Sequence, residues 1–151
     1  MHEIDIAQTL REFLGSHSTM SLATVDEAGL PHAANVYFAP DEQLGLYFVS
    51  HPGSAHSRHI ERHSHVAATV YEPVTMWQRI RGVQLHGHAA LIDPGEFAMV
   101  WKTYLDKFPH IGEIESTVRA QQFYVIRPTW FRWIDNAVKF GFRVETSWPM
   151  Q

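Results

Sequence analysis

The sequence contains no cysteine among its 151 residues. A disulfide framework, a thiolate metal site and a cysteine nucleophile are therefore excluded. It has no apolar run long enough to span a bilayer and no signal-peptide pattern before its first helical segment. The formal charge is −4, so the basic footprint of a general nucleic-acid binder is missing. We therefore expect a cytoplasmic protein that binds neither membranes nor nucleic acid.

The length predicts one domain over residues 1–151, because the chain is long enough for one core and too short for two. Helical spacing of apolar residues from Ile6 to Leu14 predicts a first helix that ends at Gly15-Ser16. Runs typical of strands follow, separated by short turns. They lie at Thr19–Val25, Pro31–Phe38, Leu44–Val49, His65–Tyr71 and Gly82–Ile92. Consecutive strands with short turns favour an antiparallel meander that closes into a barrel.

A turn of small residues, Ser50–Ser54, joins the third strand to a short polar helix, Ala55–Arg62. A strand that enters a helix through Gly and Ser presents backbone N–H groups and the positive end of the helix dipole, which suits a phosphate. The same residues are typical of any strand-to-helix turn, so the pattern alone also fits a purely structural turn.

The second half of the chain begins with a helix start at Asp93-Pro-Gly-Glu96. An apolar stripe from Phe97 to Phe108 predicts a helix packed against a sheet or a partner subunit. A last long strand is predicted over Gln122–Ile134, with Pro128 at a bulge or edge position. The tail after Asn136 lacks a regular pattern and predicts an irregular segment.

The order of these elements, with Leu-Tyr-Phe before the turn and Ser54-Ala-His-Ser-Arg-His-Ile60 after it, resembles the FMN-binding split-barrel (pyridoxamine 5'-phosphate oxidase-like) proteins. The resemblance extends from about Leu10 to Asp135 and is closest to a small uncharacterised bacterial branch. It implies a mainly β (α+β) fold, a six-stranded antiparallel split β-barrel with two principal flanking helices. It also implies a homodimer with FMN at the interface.

The resemblance assigns the FMN site to three segments of the chain. The turn and short helix bind the phosphate, the second strand runs beside the flavin ring, and Gln84 reaches the cofactor of the other subunit. The residues implied to bind the cofactor are Ala34, Asn35, Val36, Tyr37, Val49, Ser50, Ser54, His56, Arg58, Arg79, Arg81 and Gln84.

This chain departs from the family pattern at charged positions. His56 stands where the family commonly has Lys, which makes the positive charge dependent on pH. Ala34 and Ala39 stand where the oxidases have Arg and Lys, and we expect Arg79 and Arg81 to compensate. Arg79 and Arg81 alternate with Ile80, and this pattern would also fit two solvent-facing residues of an ordinary half-buried strand.

The main functional expectation is an FMN-dependent oxidoreductase that takes electrons from NAD(P)H, with no protein side chain assigned as acid or base. True pyridoxamine-phosphate oxidase activity is not expected. The chain ends in Ser147-Trp-Pro-Met-Gln151 and lacks the C-terminal Arg-Leu-x-Pro segment of those oxidases.

Eleven histidines keep a second reading open. Some split-barrel relatives bind haem through an axial His, so a haem protein is one alternative. A non-catalytic dimer with a degenerate pocket is the other. His59 with His63, or His86 with His88, gives only two ligands, so no specific metal site is expected. No nucleophile-elbow pattern supports a Ser-His-Asp triad. We expect the aromatic segment Tyr124–Trp133 to form a dimer interface rather than core.

Overall fold

The computed structural model describes residues 4–150. Within them, four α-helices flank eight strands. The helices are Ile6–Ser16 (α1), Ala55–Arg62 (α2), Phe97–Lys107 (α3) and Glu115–Arg119 (α4). The strands are Thr19–Val25 (β1), Pro31–Tyr37 (β2), Ala39–Pro40 (β3), Leu46–Ser50 (β4), His65–Tyr71 (β5), Arg81–Leu91 (β6), Gln122–Asp135 (β7) and Arg143–Ser147 (β8). Short 3₁₀ turns lie at Trp77–Arg79, Pro94–Glu96 and Pro109–Ile114.

The strands form one antiparallel sheet in the order β2-β1-β5-β6-β7-β4-β3, and β8 pairs with the second half of β7. The sheet curls into a half-barrel, which confirms the predicted split-barrel fold. The long strand β7 pairs with two strands along one edge: Leu46–Ser50 pairs with its beginning and Arg143–Ser147 with its end.

The fold has eight strands instead of the six predicted, while the two principal helices are α1 and α3, of eleven residues each. The tail is not irregular, because β8 forms there with Val144 and Thr146 half-buried. The strand predicted from Leu44 begins at Leu46, since Leu44 takes a left-handed backbone conformation with φ of 62°. Residues 115–119 add the short fourth helix.

Two apolar clusters fill the two sides of this sheet. The first lies inside the curl, where α1 packs on Leu22, Leu85 and Phe131. The second cluster joins the apolar stripe on α3 to Tyr47 and Phe123. The helix therefore packs against the sheet, which is one of the two arrangements predicted for it, the other being a partner subunit. Trp133 is 4% exposed and belongs to the first cluster, which corrects its assignment to an interface.

Lys107, at the end of α3, closes the C-terminal end of α1. Its Nζ donates to the carbonyls of Leu14 at 3.1 Å and Phe38 at 2.9 Å, and to that of His17. Burial lowers the pKa of Lys107 to about 8, whereas carbonyl acceptors favour the charged amine. With three acceptors around Nζ, we expect Lys107 to stay protonated at neutral pH and to tie α3 to α1.

The pairing of β6 with β7 contains a bulge. The register shifts between His86, which faces Trp130, and Gly87, which faces Pro128. The predicted special position of Pro128 is thus confirmed as a bulge, where a residue without an N–H does not break the ladder.

No helix in residues 4–150 has both the length and the hydropathy needed to cross a membrane.

Candidate functional site

The turn before α2 brings three of the predicted residues together. The Ser50 hydroxyl lies 2.6 Å from His56 Nε2 and 2.9 Å from the Ser54 hydroxyl. Ser57, which the sequence analysis did not single out, donates to Ser50 Oγ at 3.1 Å. Ser54 caps α2 by accepting the Ser57 N–H at 3.3 Å. The hydroxyls and the imidazole thus bond to one another, and an incoming phosphate would have to replace these bonds.

His56 carries less positive charge than its position suggests. Burial, with a smaller contribution from the nearby His59, lowers the pKa of His56 below its usual value. An imidazole with a lowered pKa is neutral at pH 7. The residue that replaces the family lysine therefore offers a hydrogen bond to a phosphate but little charge.

The lowered pKa of His56 makes stability depend on pH. The unfolded chain protonates this imidazole near pH 6.5, while the folded chain resists protonation, so stability falls as the pH drops below about 6.5 toward the folded pKa. We expect the free energy of unfolding, measured in urea between pH 7.5 and 5, to fall more steeply for the wild type than for His56→Gln. His110→Gln, at a side chain that is 94% exposed, is the matched control. Parallel curves for wild type and His56→Gln would contradict this assignment.

Of the three predicted arginines, Arg58 contacts this turn, whereas Arg79 and Arg81 lie elsewhere in the same chain. Arg58 folds back over it and donates to the Gly53 carbonyl at 3.1 Å. Arg81 pairs with Glu72 through Nε at 3.1 Å and Nη2 at 2.7 Å, which lowers the pKa of Glu72. Arg79 lies in a 3₁₀ turn, not in a strand, which corrects the strand alternation considered for it.

Arg79, Arg81 and Gln84 instead line a cleft at the beginning of β6. The helix α2 lies near the other end of that strand, where Ser57 and Leu91 share a groove. Seven residues of strand separate Leu91 from Gln84, or about 23 Å. Compensation of the missing phosphate contacts by Arg79 or Arg81 therefore requires a second subunit.

The predicted ring-binding strand β2 divides its residues between two faces. Val36 packs on the first apolar cluster, and Ala34 is half-buried opposite Leu22. Asn35 is exposed without a bulge and accepts the Ser21 hydroxyl at 2.8 Å. Tyr37 is exposed beside Phe108, with ring centroids 5.4 Å apart.

Val49, the remaining predicted residue, packs on the second apolar cluster beside α3. Its side chain helps to hold the strand that leads into the turn. It does not join the Ser50–His56 group of hydrogen bonds.

The outer face of the sheet carries two rows of side chains that the sequence patterns do not predict. Strand pairing aligns residues distant in the chain, and both rows are partly or fully exposed. The polar row is Asn35, Ser21, Thr69, Gln84, Arg132 and Glu145. The alanine row is Ala33, Ala23, Ala67, His86 and Trp130. The alanine row is an exposed strip of small side chains that leads to the His86 imidazole and the Trp130 ring.

Eight of the ten histidines in residues 4–150 fall into two groups by their position in the fold. Five have a ring nitrogen within hydrogen-bond distance of protein atoms around the turns and helices: His17, His32, His51, His56 and His59. His59, bonded to Thr24 at 2.8 Å, and His63, whose ring lies 5.3 Å from that of His65, face different neighbours.

Three further histidines, His65, His86 and His88, are exposed on the outer face. The His65 and His88 rings lie 4.1 Å apart, and His88 Nδ1 lies 3.1 Å from the Ser64 hydroxyl. The His86 ring stacks on Trp130 at 4.6 Å and 16°. In the described part of the chain, no three His, Asp or Glu side chains converge to hold a metal ion.

The family comparison identifies this chain. The pyridoxamine 5'-phosphate oxidase family model matches residues 6–135, and the chain belongs to that family. Its relatives include two UPF0306 proteins from strains of Campylobacter jejuni. Each is 21% identical over 138 residues, which cover 91% of this chain and 96% of the relative.

Solved structures share the fold at low sequence identity. The haem-binding protein from Mycobacterium smegmatis superposes with a TM-score of 0.80 at 19% identity, over 97% of this chain but only 60% of that protein. HutZ, the haem storage protein from Vibrio cholerae, superposes with a TM-score of 0.69 at 19% identity, over 80% of this chain and 88% of HutZ. General stress protein 26 from Bacillus anthracis superposes with a TM-score of 0.66 at 15% identity, over 93% of this chain and 98% of that protein.

Proposed function

We propose that this protein binds haem on the outer face of its half-barrel, with His86 as the axial ligand. The observation that carries the proposal is the position of His86. It is exposed on a central strand, at the end of the alanine row and against the Trp130 ring. A planar tetrapyrrole needs an axial nitrogen and an apolar surface, which the His86 imidazole and the alanine row would supply.

His86 fits the role better than its two neighbours on the face. Within residues 4–150 its ring nitrogens have no hydrogen-bond partner, and Ala67 beside it adds no bulk. His65 is crowded by His63 at 5.3 Å and His88 at 4.1 Å. Bound haem would supply ligand-binding and one-electron chemistry, while the protein would supply the imidazole and the surrounding surface.

The fold relatives support this choice of cofactor. Two of the solved structures are described as a haem-binding and a haem storage protein. The first is considerably longer than this chain, which covers 60% of it, so its whole activity is not transferred. The closed hydrogen bonds around Ser50 and the neutral His56 further favour haem over a phosphate-bearing flavin.

The outer face also suits a second copy of the chain. Its small and polar side chains, such as Ala33, Ala67 and Thr69, are exposed in one subunit. A homodimer that pairs these faces would shield the haem from water. A homodimer is also what the sequence predicts. We place this dimer in the cytoplasm.

The test is a spectrum of the purified protein after addition of haem and gel filtration. We expect a Soret band that stays with the protein at one haem per chain. FMN added in the same way should be lost on the column. Retention of FMN with loss of haem would contradict the proposal, and retention of neither would favour the degenerate-pocket dimer.

FMN remains the second candidate, with NAD(P)H as electron donor, because α2 begins at the Ser50–Ser54 turn with its N-terminal dipole. In that case Ser54→Ala with His56→Ala should weaken FMN binding by about 10-fold or more, since hydrogen bonds to charged groups are the strong ones. Binding should also weaken as the pH rises through the titration of His56. Equilibrium dialysis measures both, and unchanged affinity in the double variant would exclude this turn as the phosphate site.

A further inference from the structure

A cavity of about 530 Å³ lies at the split in the half-barrel. Along one edge of β7, pairing with β4 stops at Ile126 and pairing with β8 starts at Trp130. Between these points no residue of β4 or β8 is in register with β7, and the space is closed by α1, the loop before β4 and the tail after β8. Cavities of this size hold small organic molecules, so the split is a candidate binding site.

The tail is held in place by three contacts of Trp148. Its backbone N–H donates to the Thr129 carbonyl and its indole Nε1 to the Gln43 carbonyl, each at 2.9 Å. Its ring meets the buried Phe131 ring edge-on, with the centroids 5.4 Å apart. The wall that the tail forms is therefore built before a ligand arrives, which lowers the entropy that is lost on binding.

The opposite wall is the loop before β4, which Asp41 organises. One carboxylate oxygen of Asp41 accepts the N–H groups of Gln43 at 2.9 Å and Gly45 at 2.8 Å. The other oxygen pairs with Arg127 Nη1 at 3.2 Å. Gly45 is required for this pair, because a Cβ there would meet the Arg127 guanidinium. The charge of Arg127 is thus compensated within the protein.

Arg11 is the second cation that lines the cavity. It lies one helical turn after Ala7 on the same face of α1, and its Nε donates to the Glu42 carbonyl at 3.2 Å. No carboxylate within residues 4–150 pairs with it. Its guanidinium lies 6.0 Å from the centre of the Trp148 ring. The remaining N–H groups of Arg11 can therefore bind an anion beside that ring.

Apart from the two arginines and the loop before β4, the lining is apolar. It consists of Ala7, Pro128, Trp148, Pro149 and Met150. Met150 is 50% exposed, and its unbranched side chain adapts to the shape of a ligand. The two prolines have no N–H to donate. Such a lining suits a flexible alkyl chain better than a polar body.

We propose that this cavity binds a short aliphatic monocarboxylate. The carboxylate pairs with Arg11, and the alkyl chain lies against Trp148 and Met150. The proposal is independent of haem and of FMN, because no lining residue belongs to the two rows of the outer face or to the predicted FMN site.

The experiment is an NMR titration of the isotope-labelled full chain with hexanoate, hexanamide and acetate. The five tryptophans give five indole N–H signals, and that of Trp148 is identified by its absence in Trp148→Phe. We expect hexanoate to shift the Trp148 signal and to saturate at one per chain. Hexanamide, which lacks the charge, and acetate, which lacks the alkyl chain, should each bind at least about 10-fold more weakly.

Arg11→Gln should lower hexanoate affinity by about 10-fold or more, because the charged pair is lost. Arg62→Gln on α2, which is exposed and lies outside the cavity, is the matched control and should bind like the wild type. Met150→Glu tests the location independently, since it places a carboxylate on the apolar wall. We expect it to abolish hexanoate binding, whereas the neutral Met150→Gln should retain part of it, and thermal melting should show an intact fold for both.

Equal affinity for hexanoate and hexanamide, wild-type affinity in Arg11→Gln, or absence of binding at millimolar hexanoate would each overturn the proposal. So would equal hexanoate affinities in Met150→Glu and Met150→Gln. None of these results bears on haem retention, so the two proposals fail separately.

Discussion

Replacing His86 with Ala is expected to lower haem affinity at least about 100-fold, more than the loss of a residue that only orients a ligand. The substitution removes the one outer-face imidazole that combines the alanine row with the Trp130 stack. The fold should survive, because the His86 side chain is exposed. Haem titration followed at the Soret band measures the affinity, and the band should also shift as the axial nitrogen is lost.

Two histidine variants serve as controls for this result. His88→Ala, one row further along β6, should retain haem within a few-fold of the wild type. His110→Ala, outside the sheet in the 3₁₀ turn after α3 and 94% exposed in its side chain, should not differ from it. Loss of haem in His88→Ala with retention in His86→Ala would show that the axial ligand has been wrongly assigned.

Replacing Gly87 with Ala is expected to destabilise the protein by about 3 kcal/mol or more, because the overpacking falls on backbone rather than on a mobile side chain. A Cβ at Gly87 would lie 2.7 Å from Pro128 Cα and would also meet the Arg127 carbonyl. Neither atom can move without opening the β6–β7 ladder at the bulge. Thermal unfolding should show a midpoint lower by about 6–12 °C.

Gly15→Ala is the matched control, since a Cβ there would meet nothing within 4 Å. Gly15 lies in α1, where Ala is favoured over Gly by about 1 kcal/mol. We therefore expect unchanged or slightly higher stability. A Gly87→Ala protein as stable as Gly15→Ala would contradict the close strand approach at the bulge.

Local sequence signals predicted the parts of this molecule that local forces determine. Ser54 caps α2 because its side chain reaches the N–H of Ser57 three residues later. Gly29 takes a positive φ of 82° in the predicted hairpin loop. The stripe on α3 packs on the sheet because its apolar residues recur at helical spacing.

Contacts between distant segments could not be predicted in the same way. The alanine row depends on β1 pairing with both β2 and β5, and its register follows only from the folded sheet. The ion pair of Arg81 with Glu72, nine residues earlier in the chain, also follows only from the pairing of β5 with β6. The strand β8 was not predicted because its alternation of exposed and half-buried residues covers only five positions, and the strand is formed by pairing with β7.

A crystal structure of the haem-loaded protein tests the central claim most directly. We expect the iron to be bound by a ring nitrogen of His86, with the macrocycle over the alanine row and beside Trp130. Haem bound through another histidine, or at the turn before α2, would contradict the account. So would crystals from which haem is absent and in which FMN occupies the Ser50–Ser54 turn.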